Sequence, residues 1–291
     1  MEFLWTAPDG AVFPTERWEA HGSARGVLIY IHGMGGAGSE FHTLAEQAAC
    51  AGWAGFALNL RGQGRDPISK RRGTELPLAE IEKDIAAFAL VAMKKHPDLP
   101  VYWCGESMGA LILAHMLATR SSDLQADGAI FSAPVVQLRK PVSPVLRPIV
   151  RLIAALMPRF RLRPSLFVTG KAEAVRVTRD EEFRAQAKLA EHYIKAFSIG
   201  FLNTLGDLIE RSQDLSRQIT VPSLVLIGRY DIYVTVEQIQ AWYDQLASTD
   251  KALKIYPDAY HCLWNDLDRQ KVIADILSWM EERETIRMTR S

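Results

Sequence analysis

Val101-Tyr102-Trp103-Cys104-Gly105-Glu106-Ser107-Met108-Gly109 is the stretch that decides how this 291-residue chain folds. Residues 101–104 read as a buried strand and residues 110–119 as a helix, so the five residues between them must turn the chain sharply. Glycines two before and two after Ser107 remove side chains that would clash in that reversal. The turn then leaves the Ser107 hydroxyl exposed above the sheet edge, where a nucleophile belongs. A small-residue turn packed beneath a helix would use the same five residues, so the supporting chemistry has to be sought elsewhere in the chain.

An unactivated serine is a poor nucleophile and needs a base, a group that orients the base, and donors for an oxyanion. Residues 222–228 read as a buried strand that ends in Arg229-Tyr230-Asp231, which puts a carboxylate at a strand end. Residues 252–256 form the next strand-like run and lead through Pro257-Asp258-Ala259-Tyr260 to His261. Upstream, the strand-like residues 27–31 run into His32-Gly33-Met34-Gly35-Gly36, where glycines let backbone N–H groups turn toward one point. We therefore expect Ser107 as nucleophile, His261 as base, Asp231 as its orienting acid, and the N–H groups of Met34 and Met108 as oxyanion donors. Asp258 and Asp266 compete with Asp231. Asp231 is preferred because it ends its own strand, whereas Asp258 shares the turn of the base and Asp266 starts the final helix.

The order Ser, Asp, His is that of the α/β-hydrolases and not of chymotrypsin or subtilisin. With His32-Gly33-Met34-Gly35-Gly36, Leu60-Arg61-Gly62-Gln63-Gly64-Arg65, Gly105-Glu106-Ser107-Met108-Gly109 and Ala259-Tyr260-His261, the chain resembles that family. It is most similar to the monoacylglycerol lipase and lysophospholipase branch, often grouped as serine-aminopeptidase-like. Two positions depart from that branch: Gly36-Ala37 stands where it usually has an acid and a histidine, and Gln63 where it usually has a histidine. The resemblance implies an α/β fold with a mostly parallel central sheet flanked by helices, and hydrolysis of carboxylic esters with an apolar acyl chain.

Strand-like and helix-like runs alternate up to Ser132, with strands near residues 27–31, 55–59, 101–104 and 129–132 and helices near 40–51, 78–95 and 108–119. The rhythm stops at Ser132-Ala133-Pro134 and resumes at Val221. That interval is too long for a connecting loop, so residues 134–220 are expected to form a helical cap inserted between core residues 1–133 and 221–291. A final helix near 269–282 places Val272, Ile273, Ile276, Leu277 and Met280 on one stripe.

The first half of the cap carries Arg139, Lys140, Arg147, Arg151, Arg159, Arg161, Arg163 and Lys171, with no acid between Asp127 and Glu173. These charges are expected to pair with the acidic second half (Asp180, Glu181, Glu182, Glu191), with weak peripheral contact to an anionic membrane surface as the alternative. Tyr193, Ile194, Phe197, Ile199, Phe201, Leu202 and Leu205 read as one helical stripe, of which Tyr193, Phe197 and Phe201 are candidate substrate contacts.

Composition narrows the rest. A formal net charge of zero argues against nucleic acid as a partner. Three cysteines without paired spacing, Cys50, Cys104 and Cys262, read as reduced thiols in a cytoplasmic protein. The N-terminus lacks the basic and apolar regions of a signal peptide, and residues 145–157 are too short and too charged to span a bilayer. No histidine spacing such as H-E-x-x-H points to zinc, and the proposed chemistry needs no cofactor or metal. His32 and His115 are expected to be structural. The alternatives to a lipid esterase are a thioesterase, a small-ester esterase, or a receptor that binds a ligand on this scaffold without turnover.

Overall fold

The computed structural model describes residues 1–141, 143, 145–163 and 176–290. Ten strands and eight helices occur among them, in the order β1 (Glu2–Thr6), β2 (Val12–Trp18), β3 (Gly26–Ile31), α1 (His42–Cys50), β4 (Trp53–Leu58), α2 (Leu78–Lys95), β5 (Val101–Glu106), α3 (Met108–Thr119) and β6 (Gly128–Ser132). There follow α4 (Arg147–Leu156), β7 (Arg161–Leu162), α5 (Glu181–Leu189), β8 (Phe197–Ser198), α6 (Ile199–Ser216), β9 (Ser223–Gly228), α7 (Val236–Gln245), β10 (Lys251–Tyr256) and α8 (Arg269–Arg290).

Eight strands form one sheet in the order β1-β2-β4-β3-β5-β6-β9-β10. The β1–β2 hairpin is antiparallel and joins β4 antiparallel, while every pair from β4 to β10 is parallel. Parallel strands must be covered on both faces. Val27, Ile29, Ile31, Trp103, Phe131, Val225 and Ile227 pack on one face with α2, α3, α6 and α7. Leu28, Tyr30, Tyr102, Cys104, Ile130, Leu224 and Leu226, at the alternate positions, pack on the other with α1 and α8. This is the mostly parallel sheet between helices that the sequence implies.

Several boundaries differ from expectation for local reasons. Gly52, at φ +92°, ends the turn after α1 and lets β4 begin at Trp53. The expected 40–51 helix divides into a 3₁₀ turn over Gly38–Phe41 and α1 proper. The last helix runs on to Arg290.

Residues between β6 and β9 depart further from the sequence reading. Tyr193 to Leu205 is not one helix: Phe197–Ser198 pairs antiparallel with Arg161–Leu162, and α6 starts at Ile199 with the Ser198 hydroxyl accepting from the Phe201 N–H at 3.0 Å. Nor do the arginines of α4 face the acids expected. Arg147 and Arg151 pair with Asp207 and Glu210 of α6, with contacts of 3.1 Å from Arg147 to Asp207 and 2.8 and 2.9 Å from Arg151 to the two acids. Asp180 instead pairs with Arg269 and Glu181 with Arg176. Beside the half-exposed Arg151, the exposed surface of α4 is largely apolar, with Ile149, Leu152, Ile153 and Leu156 continuing from Val145 and Leu146. Lys171 and Glu173 lie outside the described residues.

Candidate active site

Ser107 sits between β5 and α3 at φ 55°, ψ −116°, one of three described non-glycine residues with positive φ. Such a backbone costs on the order of 1–3 kcal/mol and persists only where neighbours force it. The neighbours do so here. A Cβ on Gly105 would stand 2.5 Å from the Ala110 Cα, and one on Gly109 would stand 2.1 Å from the Ile31 carbonyl oxygen, so neither position admits a side chain without moving backbone. The Ser107 N–H donates to the Ser132 carbonyl at 2.9 Å and ties the elbow to β6.

The loop after β3 comes to the same point. A Cβ on Gly33 would lie 3.2 Å from the Ser107 Cβ, which brings Gly33, the residue before Met34, against the serine. His32 is buried and braces this loop: its Nε2 accepts from the Leu60 N–H at 3.0 Å, leaving Nδ1–H to donate to the Gly33 carbonyl at 2.9 Å. Burial also pushes the His32 pKa down, in keeping with a neutral ring that holds structure. Gln63 takes part as well, its Oε1 accepting from the Gly35 N–H at 2.8 Å. Met108 is the first residue of α3, so its N–H has no intrahelical acceptor and lies at the positive end of the helix dipole.

Asp231 and His261 meet from two different strand ends. Gly228, the last residue of β9, allows this approach, because a Cβ there would stand 2.1 Å from the Tyr260 carbonyl oxygen. His261 Nδ1–H donates to Asp231 Oδ2 at 2.6 Å, and both side chains are buried. Asp231 Oδ1 accepts from the N–H groups of Tyr233 at 2.7 Å and Val234 at 3.1 Å, so the carboxylate cannot swing away from the ring. With Nδ1 carrying the proton, Nε2 is the basic nitrogen of the neutral imidazole. Burial opposes the charged ring, but the Asp231 carboxylate, by charge and hydrogen bond, and Glu106, by charge, together leave the His261 pKa above its ordinary value. The Tyr233 ring packs edge-on against His261 at 4.7 Å between centroids.

The competing acids are engaged elsewhere or exposed. Asp266 is fully buried, pairs with Arg179 at 2.9 Å and accepts from the Tyr260 and Leu267 N–H groups. Asp258 is exposed. His115 lies 2.8 Å from Glu82, away from the serine, in a structural pair.

Of the candidate substrate contacts, Phe197 and Phe201 are buried with ring centroids 4.8 Å apart, and Phe197 lies against the loop after β3, 3.1 Å from where a Gly35 Cβ would be. Tyr193 is 45% exposed. Two features escaped the sequence reading. The Val177 carbonyl accepts from the N–H groups of both His261 and Cys262 at 2.9 Å, so the segment between β6 and β9 grips the base loop directly. Glu106, read only as the second residue of the elbow, is a buried carboxyl whose charge acts on His261. Among the described residues no three His, Cys, Asp or Glu side chains gather as a metal would require, and no helix is long and apolar enough to cross a membrane.

Comparison with known proteins agrees with this architecture. The chain is 29% identical over 265 residues to a monoacylglycerol lipase of Mycolicibacterium smegmatis, covering 90% of each. A crystal structure of a monoglyceride lipase variant from Saccharomyces cerevisiae superposes with a TM-score of 0.82 at 20% identity, over 97% of this chain and 94% of that one. A thermostable carboxyl esterase from Bacillus coagulans gives 0.83 at 18% identity, over 98% of each. At these identities the superpositions speak for the fold, but the Hydrolase_4 family (serine aminopeptidase, S33) matches residues 22–268, and the chain belongs to that family of α/β-hydrolases.

Proposed function

We propose that this protein is a serine hydrolase that cleaves carboxylic esters of apolar acyl chains, with monoacylglycerols as the substrate class, through an acyl-enzyme. The observation that carries the reading is the buried 2.6 Å pair of Asp231 and His261 in a molecule whose Ser107 is held in a strained elbow. In this reading Nε2 of His261 takes the Ser107 proton as the oxygen attacks the carbonyl carbon. The N–H groups of Met34 and Met108 stabilise the oxyanion, and the proton passes to the leaving alcohol. Water, deprotonated by His261, then attacks the acyl carbon and releases the acid and free Ser107.

Residues 134–220 act as a cap over this centre, and contacts of Phe197 with the loop after β3 and of Val177 with the base loop support that role. Phe197, Phe201 and Tyr193 line the acyl side of the pocket. The apolar face of α4 meets the lipid surface that holds the substrate, a role for which its exposed leucines and isoleucines suit it better than its paired arginines. Free thiols at Cys50, Cys104 and Cys262 fit a cytoplasmic setting.

Fluorophosphonate labelling and turnover of a monoacylglycerol and of a p-nitrophenyl ester test the reading. Wild type should label and turn over both, and Ser107→Ala should lose labelling and about 10⁴-fold or more in kcat. Ester turnover that survives in Ser107→Ala would refute the assignment, and binding without turnover in wild type would identify a receptor.

A further inference from the structure

His261 is held at two levels, and only one of them is the Asp231 carboxylate. A single hydrogen bond at Nδ1 tolerates a broad range of angles, so where Nε2 points depends also on the backbone that carries the ring. Three successive N–H groups fix that backbone. The Tyr260 N–H donates to Asp266 Oδ2 at 2.9 Å, and those of His261 and Cys262 both donate to the Val177 carbonyl at 2.9 Å. On the opposite side the Ala259 carbonyl accepts from the Tyr230 N–H at 3.0 Å, which ties the turn to the end of β9.

Val177 comes from the segment between β6 and β9, and the residues after it are bound to the same loop. Thr178, fully buried, donates its hydroxyl to the Asn265 carbonyl at 2.7 Å and accepts from the Asp180 N–H at 3.0 Å. Arg179 donates its backbone N–H at 3.1 Å and its Nε–H at 2.9 Å to Asp266 Oδ1, and its Nη2 reaches Asp268 at 2.6 Å. Asp180 pairs with Arg269. The two segments join at Asp266, whose fully buried carboxylate holds Tyr260, beside the base, with one oxygen and Arg179, 87 residues earlier in the chain, with the other. A lid that merely covered a pocket would need no bond to the backbone of the base.

We propose that Thr178 and Arg179 are positioning residues for His261: through the Val177 carbonyl and Asp266 they set the backbone of the base, so that Nε2 is aimed at Ser107 only while residues 177–180 are seated on the loop after β10. Neither belongs to the triad or to the oxyanion site. Their effect falls on the chemical step rather than on ester binding, because misplacing a base by roughly 1 Å slows proton transfer by up to about 10²-fold.

The consequence for rate rests on the hydrolase reading, whereas the setting of the ring is observable without turnover. Thr178→Val removes both hydroxyl bonds and keeps the shape and both ion pairs of Arg179. Arg179→Met removes the pairs with Asp266 and Asp268 and keeps the backbone N–H. At a temperature well below the Tm of each variant, kcat on a soluble p-nitrophenyl ester should fall about threefold or more in Thr178→Val and about tenfold or more in Arg179→Met, with KM within about twofold of wild type. Arg179→Lys, which keeps a cation at Asp266, should recover most of the loss. The low-field NMR signal of the His261 Nδ1 proton should shift or broaden in Thr178→Val and Arg179→Met and return toward its wild-type position in Arg179→Lys. Wild-type kcat and an unmoved signal in folded variants of lower Tm would mean that the segment only adds stability, and would overturn the proposal. A rise in KM alone, or a fall in kcat with the signal unmoved, overturns it as well. If Arg179→Met does not fold, Thr178→Val decides. If wild type shows no turnover, the hydrolase reading fails, and the signal alone decides the positioning.

Discussion

Asp231 and His261 stand 30 residues apart in sequence, each just beyond a different strand, and meet at 2.6 Å because Gly228 lets the two loops touch. The other oxygen of Asp231 is held by the N–H groups of Tyr233 and Val234, so the carboxylate presents one fixed lone pair to the ring. Orientation of this kind selects the tautomer that leaves Nε2 basic.

Asp231→Asn should therefore present an amide N–H or a weaker acceptor to Nδ1 and lower kcat on the order of 10⁴-fold with little loss of stability. Asp258→Asn, on an exposed side chain, should leave kcat close to wild type. Asp266→Asn should behave differently from both, because it leaves the permanently charged Arg179 without its buried counter-ion, whereas His261 can become neutral when Asp231 is lost, and it weakens the acceptor for three N–H groups. Its signature is a lower Tm with smaller loss of kcat. Steady-state kinetics and melting of the three variants check the ranking, and an Asp266→Asn kcat loss larger than that of Asp231→Asn would reverse the choice of orienting acid.

Gly109→Ala tests whether the elbow depends on close backbone contact between α3 and β3. The added methyl would sit 2.1 Å from the Ile31 carbonyl oxygen and 2.6 Å from that of His32, both backbone atoms of the central strand and its loop. Relief requires α3 to move away from the sheet, which should cost about 3 kcal/mol or more and displace Ser107 as well. A denaturant midpoint and fluorophosphonate labelling rate near those of wild type would show that the contact is not needed.

The elbow was legible in the sequence because its requirements are local: two glycines, a strand before and a helix after. Asp231 and His261 were legible for a related reason, since a chemical group at the end of an apolar run falls at the carboxyl edge of a parallel sheet. What escaped depends on contacts between distant segments. Arg147 and Arg151 choose Asp207 and Glu210 because α4 packs on α6, and nothing in the local charge pattern distinguishes those acids from Glu181 or Glu191. Phe197 leaves the expected helix because Arg161–Leu162 offers it a strand partner. Glu106 gave no local signal, because its burial at the end of β5 depends on strands and loops brought together from distant parts of the chain.

Glu106 also makes stability depend on pH in a direction opposite to that of a salt-bridged acid. Its folded pKa, about 8, lies above the ordinary 4.5, so the fold binds this proton more tightly than the unfolded chain does. The associated stability is fully present below about pH 4.5 and is lost as pH rises to 8, on the order of a few kcal/mol across that window. Glutamine cannot ionise and should lose none of it. The Tm of Glu106→Gln relative to wild type should therefore climb from pH 4.5 to 8, as read by thermal melts in buffers of matched ionic strength. His261, whose folded pKa is also raised, contributes stability below about pH 6.5 that is lost as pH passes its folded value. It does so in both proteins, so most of that loss cancels in the comparison. A Tm difference that stays constant with pH would mean that the buried carboxyl titrates normally.

The exposed face of α4 leads to the last expectation, which separates apolar from electrostatic attachment to a lipid surface. Leu152 and Leu156 are 59% and 73% exposed, on the side of the helix away from Asp207 and Glu210. If these side chains enter the boundary of a bilayer, each should contribute roughly 1 kcal/mol to binding, and the attraction should not depend on anionic lipid or on salt. Wild type should sediment with zwitterionic vesicles as well as anionic ones, at both 0.1 and about 1 M salt, where charge attraction is screened. Leu152→Ser with Leu156→Ser should weaken that binding and lower turnover of vesicle-borne monoacylglycerol, while turnover of a soluble acetate ester stays the same, because the centre lies in the core. Arg147→Gln with Arg151→Gln should do the reverse, leaving vesicle binding intact and lowering Tm slightly through loss of the pairs with α6. Sedimentation confined to anionic vesicles at low salt would return the role to the arginines, and no sedimentation under any condition would remove α4 from lipid contact altogether.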